Sequence, residues 1–188
     1  MKNLSDEQII NSIKRGNSGD FALLVDRYKD RAYSLLKRIL KNEMDAEEVL
    51  QDSFMKAFNS LDKFRFDSQF STWFYKIVYN SGLSALAGKK KQIEKEMTSI
   101  DDHFELGNDD DMIYASTENV KEYIHKLINE LPVRNALVLI MFYVDDMTLK
   151  DISEILDISI VNSKVLLHRS RNKLREMILK HNYQEELL

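Results

Sequence analysis

The chain has 188 residues, of which 27 are basic and 31 acidic, so its formal net charge is −4. A protein that binds nucleic acids over its whole surface would have an excess of basic residues, and this chain has none. Its apolar share of 44% suits a folded core, whereas no run reaches the ~20 apolar residues that span a bilayer, and the polar start is unlike a signal peptide. The lack of cysteine excludes disulfides and thiolate metal sites, and one proline with five glycines disfavours strands, so we expect a helical cytoplasmic protein without membrane insertion.

Four helices are predicted in the first half of the chain, because apolar residues recur there every three or four positions. Asp45 can cap the free backbone N–H groups of the third helix, with Glu48 three residues later as in a capping box. Ser71 and Thr72 are suitable caps for the fourth. The predicted helices cover residues 6–14 and 21–40, a third span from residue 45, and a fourth span from about residue 71 toward residue 86.

The middle of the chain is acidic and lacks a sustained apolar period. Residues 89–120 hold four basic and nine acidic side chains. We therefore predict a flexible acidic linker over residues 91–117, between one domain at residues 1–90 and another at residues 118–182. A solvated acidic spacer without further function is the simpler interpretation of the same residues.

The second half of the chain also has a helical pattern. Pro132 suits the first turn of a helix, and Thr148 and Ser159 are suitable caps. A short helix and a long one, joined by a turn at residues 157–158, match helix-turn-helix spacing. The predicted helices cover residues 117–130 and 133–143, a span from residue 148 to 156, and a last span from residue 159. The fold class is all-α, with two small helical domains.

The predicted last helix is basic on its surface. Residues 160–181 hold six lysines and arginines against one glutamate, which suits DNA phosphates, and a polar leading edge suits entry into the major groove. A solvated amphipathic helix without a partner fits the charge equally well. We predict a core stripe of Ile160, Leu167, Leu174 and Ile178, with Asn162, Val165 and Arg169 on the opposite side.

Aromatic residues concentrate between positions 54 and 79, which hold nine of the 18 in the chain. For any one of them a core position is the more common role. Arg65 and Lys76 lie among them, and aromatic rings beside cations form surfaces that hold unstacked bases of single-stranded nucleic acid.

Two groups of motifs make the interpretation more specific. DAEEVLQDSF at residues 45–54 and FRFDSQFSTWFYKI at residues 64–77 resemble the second conserved region of bacterial RNA polymerase sigma factors, in particular the extracytoplasmic-function group. LP at residues 131–132, TLKDISEIL at residues 148–156 and LHRSR at residues 167–171 resemble the fourth region of the same group. Both groups occur in the family's order.

The resemblance implies a sigma factor that binds core RNA polymerase and directs it to promoters. It implies that the fourth helix melts and holds the minus-ten non-template strand, and that the helix-turn-helix binds the minus-thirty-five element. An anti-sigma partner is expected by analogy; no cofactor or metal is expected. The implied polymerase-binding residues are Asp45, Glu48, Gln51, Asp52 and Phe54; the minus-ten residues are Arg65, Ser71, Thr72, Trp73, Lys76 and Asn80; the minus-thirty-five residues are Ser159, Asn162, Lys164, Val165, His168, Arg169 and Arg171.

The chain departs from the family pattern at several positions. In the recognition helix, Val161 and Asn162 replace the usual glycine and threonine, and Ser163 lies where an apolar residue normally packs. Phe66 and Gln69 replace a usual glycine and proline in the second region. These changes bear on promoter sequence and DNA affinity more than on polymerase binding.

Other classes of function fit the sequence less well. The four histidines are dispersed and no glycine-rich phosphate loop occurs, so an enzyme is not expected. The alternative is a two-domain helical interaction protein that keeps a polymerase or anti-sigma interface without specific promoter reading. A helix-turn-helix repressor or activator would leave the aromatic segment unexplained.

Overall fold

The computed structural model describes residues 4–97 and 117–185, and every regular element in those two ranges is helical, which confirms the all-α prediction. None of the helices in these ranges has the length and apolar content that a bilayer crossing requires. The α-helices are α1 Asp6–Lys14, α2 Phe21–Leu40, α3 Glu43–Ser60, α4 Phe70–Met97, α5 Thr117–Glu130, α6 Val133–Tyr143, α7 Leu149–Leu156 and α8 Ile160–Glu185, with 3₁₀ turns at Ser18–Asp20 and Leu61–Lys63.

The start of α3 differs from the prediction. Asn42, and not Asp45, is the N-cap: its backbone is extended, and its side-chain oxygen accepts a hydrogen bond from the Asp45 backbone N–H at 3.0 Å. The predicted cap at Asp45 was therefore wrong, because an equally suitable residue stands three positions earlier and Asp45 falls inside the first turn.

Helix α4 is longer than predicted at both ends. Its first residue is Phe70, and the Gln69 carbonyl accepts a hydrogen bond from the Trp73 N–H at 3.1 Å, so Ser71 and Thr72 lie in the first turn and are not caps. The helix continues to Met97 through lysine, glutamine and glutamate, which favour helix. Residues 91–97 of the predicted linker are thus helical, and residues 98–116 lie outside the described ranges.

The chain divides into two compact units. One is Met1–Lys89 with Lys150–Ile158, which places α7 beside α1 to α4, and the other is Lys90–Leu149 with Ser159–Leu188. The functional division at residues 90 and 118 remains a prediction.

The core of the first unit is built from apolar faces of α2, α3 and α4. Leu36, Phe74 and Val78 are fully buried. Phe54 of α3 stacks on Phe74 of α4, with ring centroids 4.6 Å apart. At Gly82 an added Cβ would lie 2.9 Å from Leu36 Cδ2, so glycine allows the close approach of α2 and α4. This packing fixes the position of the α4 face that follows the α3–α4 loop.

The core of the second unit lies between α5, α6 and α8. Leu127, Leu137 and Met141 are at most 1% exposed, and Leu167 of α8 packs with 4% exposed. The Asn135 side-chain amide donates a hydrogen bond to Ser170 Oγ at 2.8 Å and so joins α6 to α8. The opposite side of α8 is left facing solvent.

Candidate nucleic-acid and protein interfaces

The predicted polymerase-binding residues of α3 divide into an exposed acidic face and one buried ring. Glu48, Gln51 and Asp52 are exposed and lie three or four residues apart, which places them on one side of the helix. The Asp45 carboxylate pairs with the Lys89 ammonium of α4, and only 18% of its side chain is exposed. The pair ties the start of α3 to α4 and neutralises part of the acidic face.

Phe54 does not belong to that surface. It is 8% exposed, stacks on Phe74, and meets the Phe21 ring edge-on at a centroid distance of 6.2 Å. A ring enclosed in this way offers a partner almost no area, so Phe54 supports the helix from inside and is left out of the docking proposal below.

The loop between α3 and α4 is fastened to α1. The Lys14 ammonium donates hydrogen bonds to the Phe64 carbonyl at 2.7 Å and to the Asp62 carbonyl at 3.5 Å. It also lies 5.4 Å from the centroid of the Phe66 ring. The loop is thus held by a cation from a helix 50 positions earlier in the chain.

Phe66 lies in this loop with a left-handed backbone. Its φ is 61°, and it is 40% exposed. A non-glycine residue in this region costs on the order of 1 kcal/mol, which the surrounding contacts must offset. The Phe64 ring lies 4.9 Å away, centroid to centroid, and with Lys14 it provides those contacts.

Three of the six predicted minus-ten residues lie on one accessible side of α4. Trp73 is partly exposed and rests on the Phe64 ring at 5.1 Å and the Phe70 ring at 5.6 Å. Lys76 and Asn80 follow it at three- and four-residue steps on the same side of the helix, and Asn80 is exposed. This surface combines an aromatic ring, a cation and an amide.

The other three predicted residues lie outside this line of α4, Arg65 in the preceding loop and Ser71 and Thr72 in the first turn of the helix. The Arg65 side chain is 82% exposed and pairs with Asp67 at 3.3 Å, and the Ser71 hydroxyl donates to Gln69 Oε1 at 3.4 Å. Thr72 is 2% exposed, and its hydroxyl donates to Asp151 of α7 at 2.9 Å. Thr72 is therefore not an accessible contact.

Helix α7 approaches the α4 surface at a second point within the same compact unit. The Lys76 ammonium lies 3.8 Å from a carboxylate oxygen of Asp157, the residue that follows α7 and has a φ of 53°. The Asp157 side chain is 87% exposed and the Lys76 side chain 44%, so solvent screens the pair and it is weak. The cation of Lys76 stays available at the edge of the surface.

The predicted minus-thirty-five residues all lie on the exposed side of α8 or at its start. Ser159 is the cap, since its hydroxyl oxygen accepts a hydrogen bond from the Asn162 N–H at 3.1 Å. The His168 ring nitrogen Nε2 lies 3.3 Å from the Asn172 amide nitrogen, and Arg171 donates to the Tyr143 hydroxyl at 3.3 Å. Exposed side chains in this set are Ser159, Asn162, Lys164, Val165, His168, Arg169 and Arg171.

The buried side of α8 is rotated from the predicted core stripe. Ser163 and Ser170 are fully buried beside Leu167, whereas Ile160 is 53% exposed. The Ser163 hydroxyl donates to the Ile160 carbonyl at 2.8 Å or to the Leu149 carbonyl at 3.2 Å, so its burial leaves no unpaired polar group. The assignment of Ile160 to the core was wrong because two satisfied serines occupy the inner face.

This rotation determines which residues face outward. At about 100° per residue, the direction opposite Ser163 is shared by Val161, Val165 and His168. Val161 is 70% exposed and Val165 is 41% exposed. Over its first turns the outermost line of the helix is thus apolar, and His168 and the exposed Asn172 continue it further along.

Tyr28 of α2 packs against aromatic residues at the start of α4. Burial is the main cause that raises the pKa of its phenol, and the hydrogen bond it donates to Asp6 acts in the same direction. The phenol therefore stays protonated and continues to donate. Its ring lies 5.4 Å from Phe70, at the first residue of α4, and so supports the base of the candidate surface.

Sequence reasoning missed three contributors to these surfaces. Lys14 and Lys89 act on segments 50 and 44 positions away, and no local pattern indicates such contacts. Phe66 could have been identified from the sequence, because it replaces the glycine that is usual at this position in the family.

Comparison with known proteins decides the family. The sequence model described as Sigma-70 region 2 matches residues 24–92, and the model described as Sigma-70, region 4 matches residues 121–174. The ECF RNA polymerase sigma factor SigW of Bacillus subtilis (strain 168) is 30% identical over 179 residues, which cover 90% of this chain and 94% of that protein. The chain belongs to the extracytoplasmic-function sigma factors. It is thus an RNA polymerase-binding protein of transcription initiation, and the resemblance drawn from its motifs is confirmed.

Further relatives agree with this sigma factor family. The ECF RNA polymerase sigma-E factor of Salmonella typhimurium (strain LT2) is 27% identical over 188 residues, covering 93% of this chain and 97% of that protein. Two solved structures share the fold. CnrH, in complex with the cytosolic domain of CnrY, has a TM-score of 0.63 at 18% identity, over 90% of this chain and 94% of that one. RpoE, in complex with the anti-sigma factor NepR from Bartonella quintana, has a TM-score of 0.66 at 19% identity, over 85% and 96%.

Proposed function

We propose that this sigma factor directs core RNA polymerase to a restricted promoter set by opening the minus-ten element on the α4 surface and binding the minus-thirty-five duplex through α8. The observation that best supports this proposal is that Trp73, Lys76 and Asn80 share one accessible face of α4, and the loop before this helix holds the exposed Arg65. An unstacked base can lie on the indole while the amide and the cations bind its edge and the backbone. Thr72 takes no direct part, because its hydroxyl is buried against Asp151.

The acidic face of α3 is proposed as the polymerase-docking surface. Glu48, Gln51 and Asp52 are exposed together and would meet a basic surface on the polymerase. Asp45 contributes mainly through its pair with Lys89, which fixes the start of α3 against α4. Charge complementarity of this kind sets orientation and association rate more than total affinity.

The exposed side of α8 is proposed to enter the major groove. Lys164, Arg169 and Arg171 would position the helix on phosphates, and Asn162 can bind adenine through its amide. Val165 can contact a thymine methyl group. Valines on the outermost side of the helix can contact thymine methyl groups but cannot form hydrogen bonds to guanine. We therefore expect a minus-thirty-five element that is rich in A·T pairs.

An anti-sigma protein is proposed as a regulatory partner. RpoE was solved in complex with the anti-sigma factor NepR, and CnrH in complex with the cytosolic domain of CnrY. We further propose that the protein acts in the cytoplasm and catalyses no reaction itself, since every role assigned above is a binding role.

Run-off transcription tests the proposal. Core polymerase with and without the protein is incubated with fragmented genomic DNA of the source organism, and transcript starts are mapped. Discrete new starts that share two spaced upstream elements are expected. Stable polymerase binding without such starts would favour the second candidate, an interaction protein without promoter reading, to which the exposed Val161 and Val165 on α8 lend support. Absence of polymerase binding would overturn both.

A further inference from the structure

The α3–α4 loop presents an aromatic ring that the fold does not need for its core. Phe66 is 40% exposed although its backbone has a φ of 61°, a conformation that glycine adopts freely and that phenylalanine resists. The contacts with Phe64 and Lys14 offset this strain, yet much of the ring is still open to solvent. Such an outlier points to a role in binding.

The surroundings hold the ring of Phe66 in place without enclosing it. The Lys14 ammonium lies 5.4 Å from its centroid and is itself fixed by the Phe64 carbonyl at 2.7 Å. The Phe64 ring lies 4.9 Å away at an interplanar angle of 60°. Both contacts restrict the position of the ring, so it is arranged before any ligand arrives.

The same contacts connect Phe66 to the proposed minus-ten surface. The Phe64 ring contacts both the Phe66 ring and the partly exposed Trp73 ring, the latter at 5.1 Å. Arg65, between the two phenylalanines in sequence, has a side chain that is 82% exposed. Phe64 itself is only 4% exposed, so the accessible groups of this stretch are the Phe66 ring, the Arg65 cation and part of Trp73. Exposed rings and cations close together are the features that hold a single strand, with bases on the rings and phosphates on the cations.

We propose that Phe66 is a stacking platform for one unpaired nucleobase of the non-template strand, separate from the base held at Trp73. This inference rests on the proposed function of the α4 surface. Lys14 serves as a positioning residue that holds the ring, and Arg65 supplies a cation for the adjacent phosphate. Because every base has an aromatic face, the contact adds affinity at one nucleotide with little preference for its identity.

The test uses core polymerase bound to the full chain, and a fork-junction DNA made from the promoter that run-off transcription identifies. Phe66→Asn removes the ring while asparagine accepts a positive φ, and Phe66→Tyr keeps the ring. Leu23→Asn removes a side chain of similar exposure, 44%, from α2 and is the matched control. Each variant is titrated against DNA in which one unpaired nucleotide at a time is replaced by an abasic site.

Stacking predicts a specific pattern. Phe66→Asn should bind roughly 5- to 100-fold more weakly, whereas Phe66→Tyr and Leu23→Asn should match the wild type. At one position, an abasic site should weaken the wild type by a similar factor and should add no further loss to Phe66→Asn. Wild-type affinity in Phe66→Asn, or losses that multiply at every position, would overturn the inference.

The outcomes also separate this inference from the function on which it rests. If the wild type gives no promoter-specific starts, the proposed function fails and the stacking role falls with it. If the wild type transcribes and Phe66→Asn binds the fork junction equally well, only the stacking role fails. Should Phe66→Asn fold poorly by thermal melting, Phe66→Leu replaces it in the same comparison with Phe66→Tyr.

Discussion

Lys14 joins α1 to the loop that precedes the candidate DNA surface, and its removal should loosen that loop. Lys14→Met keeps most of the aliphatic stem and deletes the ammonium, which donates to the Phe64 carbonyl at 2.7 Å and lies 5.4 Å from the Phe66 centroid. A hydrogen bond from a charged donor contributes about 1.5–3 kcal/mol and a cation–π contact about 0.5–1 kcal/mol. Because Lys14 is exposed and screened by solvent, the expected loss of unfolding free energy is about 1–2 kcal/mol.

Urea denaturation measures this loss. Trp73 is the single tryptophan of the chain and lies 5.1 Å from Phe64, so its emission follows the loop and α4 directly. With a urea slope of about 2 kcal/mol per molar, the midpoint should fall by about 0.5–1 M. Lys63→Met, at a nearby exposed lysine, is the control and should stay within about 0.5 kcal/mol. Equal midpoints for Lys14→Met and the wild type would refute the loop attachment.

Three other changes test the remaining surfaces. Trp73→Ala should reduce promoter opening while core polymerase binding persists, as measured by open-complex formation with a parallel melting curve; a loss of both would point to misfolding. Lys164→Ala should lower the salt slope of duplex binding by about 1 if its ammonium meets a phosphate, and an unchanged slope would exclude that contact. The Lys37 ammonium donates a hydrogen bond to the Glu43 carboxylate at 2.5 Å and lowers the pKa of Glu43. The pair therefore adds to the free energy of unfolding above the pKa that Glu43 has in the unfolded chain, and this stabilisation is lost as the pH falls. The urea midpoint of the wild type should therefore drop more between about pH 6 and pH 3 than that of Glu43→Gln, and parallel curves would contradict the pairing.

Local rules predicted much of the fold. Helices α1, α2, α5 and α6 have the predicted bounds, because apolar periodicity and end signals such as Gly16 and Pro132 agree there. The start of α3 was misplaced because Asn42 and Asp45 are chemically equivalent caps, and only the extended backbone at Asn42 distinguishes them. Apolar periodicity did not predict the end of α4, because polar residues that favour helix extend it to Met97.

The resemblance to sigma factor motifs predicted more residues of the candidate surfaces than the apolar periodicity of the helices did. The apolar stripe of α8 was misassigned because Ser163 and Ser170 are buried with their hydroxyls bonded to backbone carbonyls, which a hydropathy pattern cannot register. Phe54 and Thr72 carry the family's motif yet lie inside the unit. A motif identifies a segment, whereas packing decides which of its side chains reach the surface.

Promoter opening by the α4 surface is tested most directly by permanganate reactivity of thymines in complexes of promoter DNA, core polymerase and this sigma factor. Reactive thymines confined to the minus-ten region are expected with the wild type, and their loss is expected with Trp73→Ala although the complex still forms. A promoter that is bound and transcribed with equal thymine reactivity in Trp73→Ala would contradict the assignment of strand opening to this surface.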